Sequence, residues 1–298
     1  MGCTVNVPSI AELPPLVWSG LVSGALGGVL GASIVMLYRA SGTLNLAVGA
    51  LYVAGGLVAA EWAGRTVPGD VVLVVLSGFL GALCGVVGEI ALQTPLRNAP
   101  GALRLLGTVA FGSLVIGVVV VVWGAQPIIA SPIASGNVKV SSQFLISNAS
   151  IILVGCALVL GLGAEAWLRY SKSGHVLSGV TEDARAAELL GIRVERFRFV
   201  TVAVTTGLVA MFGAISVSQF LTEPTDGLTL SLNGFVAAYL LGGNLSPLLA
   251  VGGGVVAGLI DVFVARIFSS ALSGVAIGGL LIVVLLARKK RMLAAAFS

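Results

Sequence analysis

Reactive side chains are scarce in this sequence, and their spacing narrows what it can do. His175 is the single histidine among 298 residues, and the three cysteines, Cys3, Cys84 and Cys156, stand far apart. A metal site needs three or four such ligands at short, repeated spacings, and a nucleophilic enzyme needs a base beside its nucleophile. Neither pattern is present. None of the four lysines follows a glycine, so the phosphate-cradling Gly-Lys-Ser/Thr loop is missing too. The carboxylates Glu89, Glu165 and Asp261 remain, each on an apolar run. Glu89 and Glu165 lie near run ends and are expected to reach interfacial water. Asp261 lies deeper, where an acid either pairs with a polar group on another helix or lines a pathway. Three scattered acids do not make a proton relay. The expectation is a chain that is not an enzyme and holds no metal or cofactor of its own.

The segments that position these residues are long and apolar. Charged residues make up 9% of the chain, against about 25% in soluble domains. Hydrophobic residues reach 57%, and 41 glycines interrupt them. This excludes a disordered chain, a disulfide scaffold and an outer-membrane barrel, whose strands alternate over about 10 residues. An all-α, polytopic transmembrane bundle is expected, forming a single domain over 1–298. Its nine apolar runs are 16–37, 44–62, 71–92, 105–123, 149–168, 200–221, 230–241, 245–264 and 272–286, and the seventh is short enough to be re-entrant.

Basic residues collect on the cytoplasmic side of short loops. Thirteen of the sixteen fall on one side of this arrangement, from Arg39, Arg97 and Arg104 through the 169–198 loop to 288–291; Arg65, Lys139 and Arg266 fall opposite. The N-terminus is therefore expected outside, the C-terminus inside and the 124–148 loop outside. The net charge of +4 reads as a topology signal and not as a nucleic-acid footprint. Glycines four apart, such as Gly20 with Gly24, Gly24 with Gly28, Gly81 with Gly85 and Gly254 with Gly258, clear helix faces for close packing or for sliding.

The 169–198 loop reads RYSKSGHVLSGVTEDARAAELLGIRVERFR. Thr181 with Glu182 and Asp183 suggests a hydroxyl cap with acids in a first turn, and Gly191 a helix stop. The helix between them would carry Ala184, Ala187 and Leu190 on one face. Either an interfacial helix or a docking knob for a cytoplasmic subunit would look this way.

This stretch resembles the cytoplasmic coupling loop of ABC importer permeases, specifically the Liv-type permeases for branched-chain amino acids. Glu182, Asp183, Ala187, Leu189, Leu190, Gly191 and Ile192 match its acidic pair, alanine and Leu-Leu-Gly-Ile, after a similar Arg169, Tyr170, Ser171 and Gly174. Leu44, Asn45, Ala47 and Gly49 look like the segment that opens the family's second helix. Glu89 with Pro95, Leu96 and Arg97 looks like its turn, and Leu241 to Gly243 with Gly252 and Gly253 like its late glycine hairpin. Val48, Ile90 and Thr94 depart from the pattern.

The resemblance implies a permease subunit in a bacterial plasma membrane that moves branched-chain or other amino acids, or another small solute such as urea or an amide. It implies a second permease subunit, two cytoplasmic ATPases that bind ATP and Mg, and an external solute-binding protein. Glu182, Asp183, Ala184, Ala187, Leu190, Gly191 and Ile192 would then couple to an ATPase. Asn45, Ser41, Thr43 and Asp261 would line the pathway, although Ser41 and Thr43 equally suit a helix cap. Glu89, Pro95 and Arg97 would form a structural turn, and Gln126, Ser131 and Ser135 are docking candidates outside.

Overall fold

The computed structural model describes residues 12–61, 67–96, 99–127, 136–141, 144–182, 184–220, 222–241, 246–268 and parts of 272–286. Six described helices are long and apolar enough to cross a membrane, and each of the nine runs falls at least partly on helix. α1 (Leu13–Ser41) starts on two prolines, whose missing N–H groups and fixed φ suit a first turn. It stops at Gly42, whose φ of 69° lets its N–H return to Tyr38 O at 2.7 Å. At about 1.5 Å per residue its 29 residues reach about 44 Å, beyond the hydrocarbon core of about 30 Å.

α2 (Val48–Ala60) has 13 residues, shorter than the 44–62 run, because the chain turns before Val48. α3 (Val67–Gly88) continues into a π-helical turn, Glu89–Gln93, and α4 is Gly101–Trp123. A short antiparallel hairpin, β1 (Asn137–Ser141) with β2 (Phe144–Ser147), feeds directly into α5 (Asn148–Tyr170). Part of the 124–148 segment is thus strand and not loop. Gln126 is exposed, while Ser131 and Ser135 lie outside the described residues. α6 (Lys172–Glu182) and α7 (Ala184–Leu189) occupy the 169–198 loop, followed by α8 (Val194–Ser216), α9 (Gly227–Leu241) and α10 (Pro247–Ile267).

α1 is the hub, with α10, α9, α5 and α8 packed around it. Gly24 faces α10 so closely that a Cβ there would lie 2.6 Å from Val255 Cα, and Gly254 and Gly258 are equally tight against Gly24 and its neighbours. The Gly20–Gly24–Gly28 seam is therefore a packing seam. Gly27 lies off it with open space around its Cα. Leu30, Ile34, Leu51, Tyr52, Val53 and Phe212 fill the centre, where the Tyr52 and Ser216 hydroxyls bond each other. The outer faces are apolar as well: Phe79, Val121 and Val159 are more than half exposed. This is the surface a bilayer or a partner helix covers.

Candidate functional site

The 169–198 segment builds a knob from local rules. Ser171 opens α6 by accepting from Gly174 N at 2.9 Å while donating to Trp167 O. α6 buries Leu177 and Val180, and Thr181 Oγ1 donates within its last turn to Leu177 O and across to Arg39 O at 2.7 Å. Thr181 is therefore not the cap of the next helix: its hydroxyl ties α6 to the end of α1. Arg39 reinforces this with a donor to Ser178 Oγ at 3.3 Å.

One helix was expected over 181–190, and two are found. Glu182 ends α6, Ala184 begins α7, and Asp183 lies outside the described residues. Ala187 is buried in a small core with Val180 and Val194, partly covered by Val176 and Ile192. Gly191, with φ of 81°, donates to Glu188 O, and Ile192 N donates to Ala187 O, the two bonds of a Schellman stop. The face expected to join Ala184, Ala187 and Leu190 is divided: Ala187 points into the knob, while Leu189 and Leu190 are 90% and 81% exposed at its tip.

α8 leaves this small core at Val194 and delivers Arg198 inward. Arg198 Nε lies 2.7 Å from Glu89 Oε1, close but not aligned as a hydrogen bond, with both side chains almost fully buried. Arg198 also donates to Thr94 Oγ1, whose backbone N–H closes the π-turn onto Glu89 O. Glu89 is thus a buried ion-pair partner and not the interfacial acid expected. Gln93 donates to Arg104 O, and Arg104 to Ser41 O at 2.6 Å, so the node joins α3, α4, α8 and the end of α1. Pro95 is exposed in the turn that follows, and Arg97 lies outside the described residues.

The four expected pathway residues do not converge. Ser41 Oγ is engaged by Leu37 O and Thr43 at the α1–α2 connection. Asn45 Oδ1 accepts from Ala47 N at the start of α2 and lines a narrow crevice with Glu89, Gln93 and Thr108. Asp261 lies elsewhere, on a cavity of about 190 Å³ shared with Asp226, Asn233, Thr222, Ser23 and Tyr52. Glu165 accepts from Arg169 at 2.6 Å and from Ser246 at 2.5 Å, and Ser246 also caps α10 through Leu249 N.

Arg198, Asp226, Asn233 and Ser246 escaped the sequence reading. Only Ser246 carried a local signal, Ser-Pro before an apolar run. Among the described residues no three His, Cys, Asp or Glu side chains gather as a metal site requires.

Comparison with known proteins accounts for most of the chain. The family described as branched-chain amino acid transport system, permease component, matches residues 16–285. The high-affinity branched-chain amino acid permease protein LivH of Escherichia coli K12 is 25% identical over 289 residues, covering 90% of this chain and 91% of its own. BraD of Pseudomonas aeruginosa is 23% identical over 299 residues, covering 95% and 96%. A solved chain from a transporter assigned to the metal-chelate ABC type, in an inward-facing conformation, superposes with a TM-score of 0.50 at 18% identity, covering 96% of this chain and 92% of that one. That last likeness concerns the fold alone. With the six long helices and the glycine-packed hub, the match over 16–285 places the chain in the branched-chain amino acid transport permease family.

Proposed function

We propose that this chain is one of two membrane subunits of an ATP-driven importer for branched-chain or similar small amino acids. Two cytoplasmic ATPases bind ATP and Mg, and an external solute-binding protein delivers the solute. The nine apolar segments lie with the N-terminus outside and the C-terminus inside, an orientation supported by the thirteen basic residues on one side. The observation that carries the reading is the knob. Leu189 and Leu190 project at the end of α7, whose Ala187 packs against α6 and α8, and α6 in turn is tied to the end of α1 through Thr181, so a push on the leucines moves the bundle and not a slack loop. ATPase closure acts there and shifts the balance between outward-open and inward-open packings.

The Asp261 cavity supports a small amphiphilic solute. Asp226 and Asp261 suit an ammonium group, and Leu26, Phe220 and Leu230 suit an aliphatic side chain. Transport can be tested with the complete importer in proteoliposomes. The double variant Leu189→Asp with Leu190→Asp should abolish ATPase co-purification and ATP-driven uptake while leaving the thermal midpoint unchanged. Full uptake by that variant, or uptake by the isolated chain without ATPases, would defeat the proposal.

A further inference from the structure

A groove of about 800 Å³ runs between α1, α5 and α8, and no element of the chain described here fills it. On α8 it is lined along one face, from Arg193 and Arg196 at one end through Val200 and Val204 to Leu208. From α5 come Leu160 and Gly163, and from α1 Val29 and Met36. The length is informative. Arg196 to Leu208 is about 18 Å along a helix rising about 1.5 Å per residue, close to the roughly 15 Å of one leaflet's hydrocarbon. The groove is therefore apolar for about the depth of a single leaflet and basic at its headgroup end.

Arg193 and Arg196 are exposed and have no ion-pair partner among the described residues. Trp167, an interfacial residue type, stands at the same end. We infer that this groove is a binding site for an anionic phospholipid, with an acyl chain between α1, α5 and α8 and the phosphate on Arg193 and Arg196. A basic pocket at the membrane surface between helices suits such a headgroup. A zwitterionic lipid would fill the apolar part and offers the same phosphate, but its own ammonium group cancels that charge, so it gains less from the two arginines. The site adjoins the knob, since Gly191 and Ile192 of the turn after α7 line the groove, so an occupied groove braces that turn against α5. Placing it in the cytoplasmic leaflet rests on the orientation proposed above.

The test uses the full chain in nanodiscs with photoactivatable phosphatidylglycerol or phosphatidylcholine of identical acyl chains, and adduct sites mapped by mass spectrometry. The phosphatidylglycerol probe should label the α5 and α8 groove walls preferentially. Arg193→Gln and Arg196→Gln should each cut that labelling about fivefold and leave the phosphatidylcholine signal unchanged. Gly163→Leu, at a position with open space around its Cα, should fill the groove and reduce labelling by both probes. Equal labelling by the two headgroups, or indifference to both arginine variants, overturns the inference. So does disulfide formation between copies carrying Leu208→Cys, which would show a second subunit in the groove. The labelling requires neither ATP nor ATPases, so its failure and the failure of the importer reading are separately visible.

Discussion

Removing either member of the Glu89–Arg198 pair should destabilise the bundle, and removing Glu89 should cost more. At 2.7 Å and an effective dielectric of about 20, the gross attraction is about 6 kcal/mol. Burying two ions costs several kcal/mol each, so the intact pair contributes little net stability. Breaking it is another matter, because a single buried charge keeps its desolvation cost without its partner, typically about 3–5 kcal/mol. The two halves are unequal here. Glu89 retains Arg104 as a second cation in electrostatic range after Arg198→Met, whereas Glu89→Gln removes the anion paired with Arg198 and leaves its buried charge facing neutral acceptors alone, Thr94 Oγ1 and the new amide oxygen. We therefore expect about 3 kcal/mol for Arg198→Met and about 5 kcal/mol for Glu89→Gln, with the double variant less damaged than the sum by at least about 1.5 kcal/mol. Thermal unfolding in detergent, followed by a thiol-reactive dye on the half-buried Cys84 and Cys156, gives the ranking. Additive losses, or wild-type midpoints for both single variants, would refute a coupled buried pair.

Two further outcomes follow from packing. Ala187→Asp buries a carboxylate among Val180, Val194 and Ile192, so it should cost at least about 2 kcal/mol and unfold the knob locally, visible as faster amide exchange over α6 and α7, unlike the exposed leucine variants. Gly24→Leu drives a side chain into the α10 backbone and should lower the thermal midpoint by an amount matching at least about 3 kcal/mol; the same substitution at Gly27 meets open space and should be tolerated.

Much of the architecture was legible in the residues. Nine apolar runs could be read from length alone, and the glycine seam on α1 from its four-residue spacing. Gly191 was recognisable as a helix stop because glycine relieves the strain of a positive φ, and it has one. Within the 169–198 loop, however, Thr181 looked like the cap of a following helix. It became a tether to Arg39 O because the end of α1 comes within hydrogen-bond reach, 142 residues away in sequence. Span lengths were misjudged where polar turns and short helices share one apolar run, as at 44–62. Hydropathy counts apolar residues and does not see where the backbone stops being helical.

Class, helical character and membership of a permease lineage were written into the chain itself, because composition, periodicity and short motifs are local properties. Tertiary structure alone decided which polar groups met. Arg198 reaches Thr94 and Glu89 across a separation of 104 residues or more, and Ser246 reaches Glu165 across 81. It also decided that Ala187 turns inward while Leu189 and Leu190 stay exposed. Inside a bundle nearly every helix face is apolar, so hydrophobicity cannot say which face meets a neighbour and which meets lipid; that choice belongs to the close approach of whole helices.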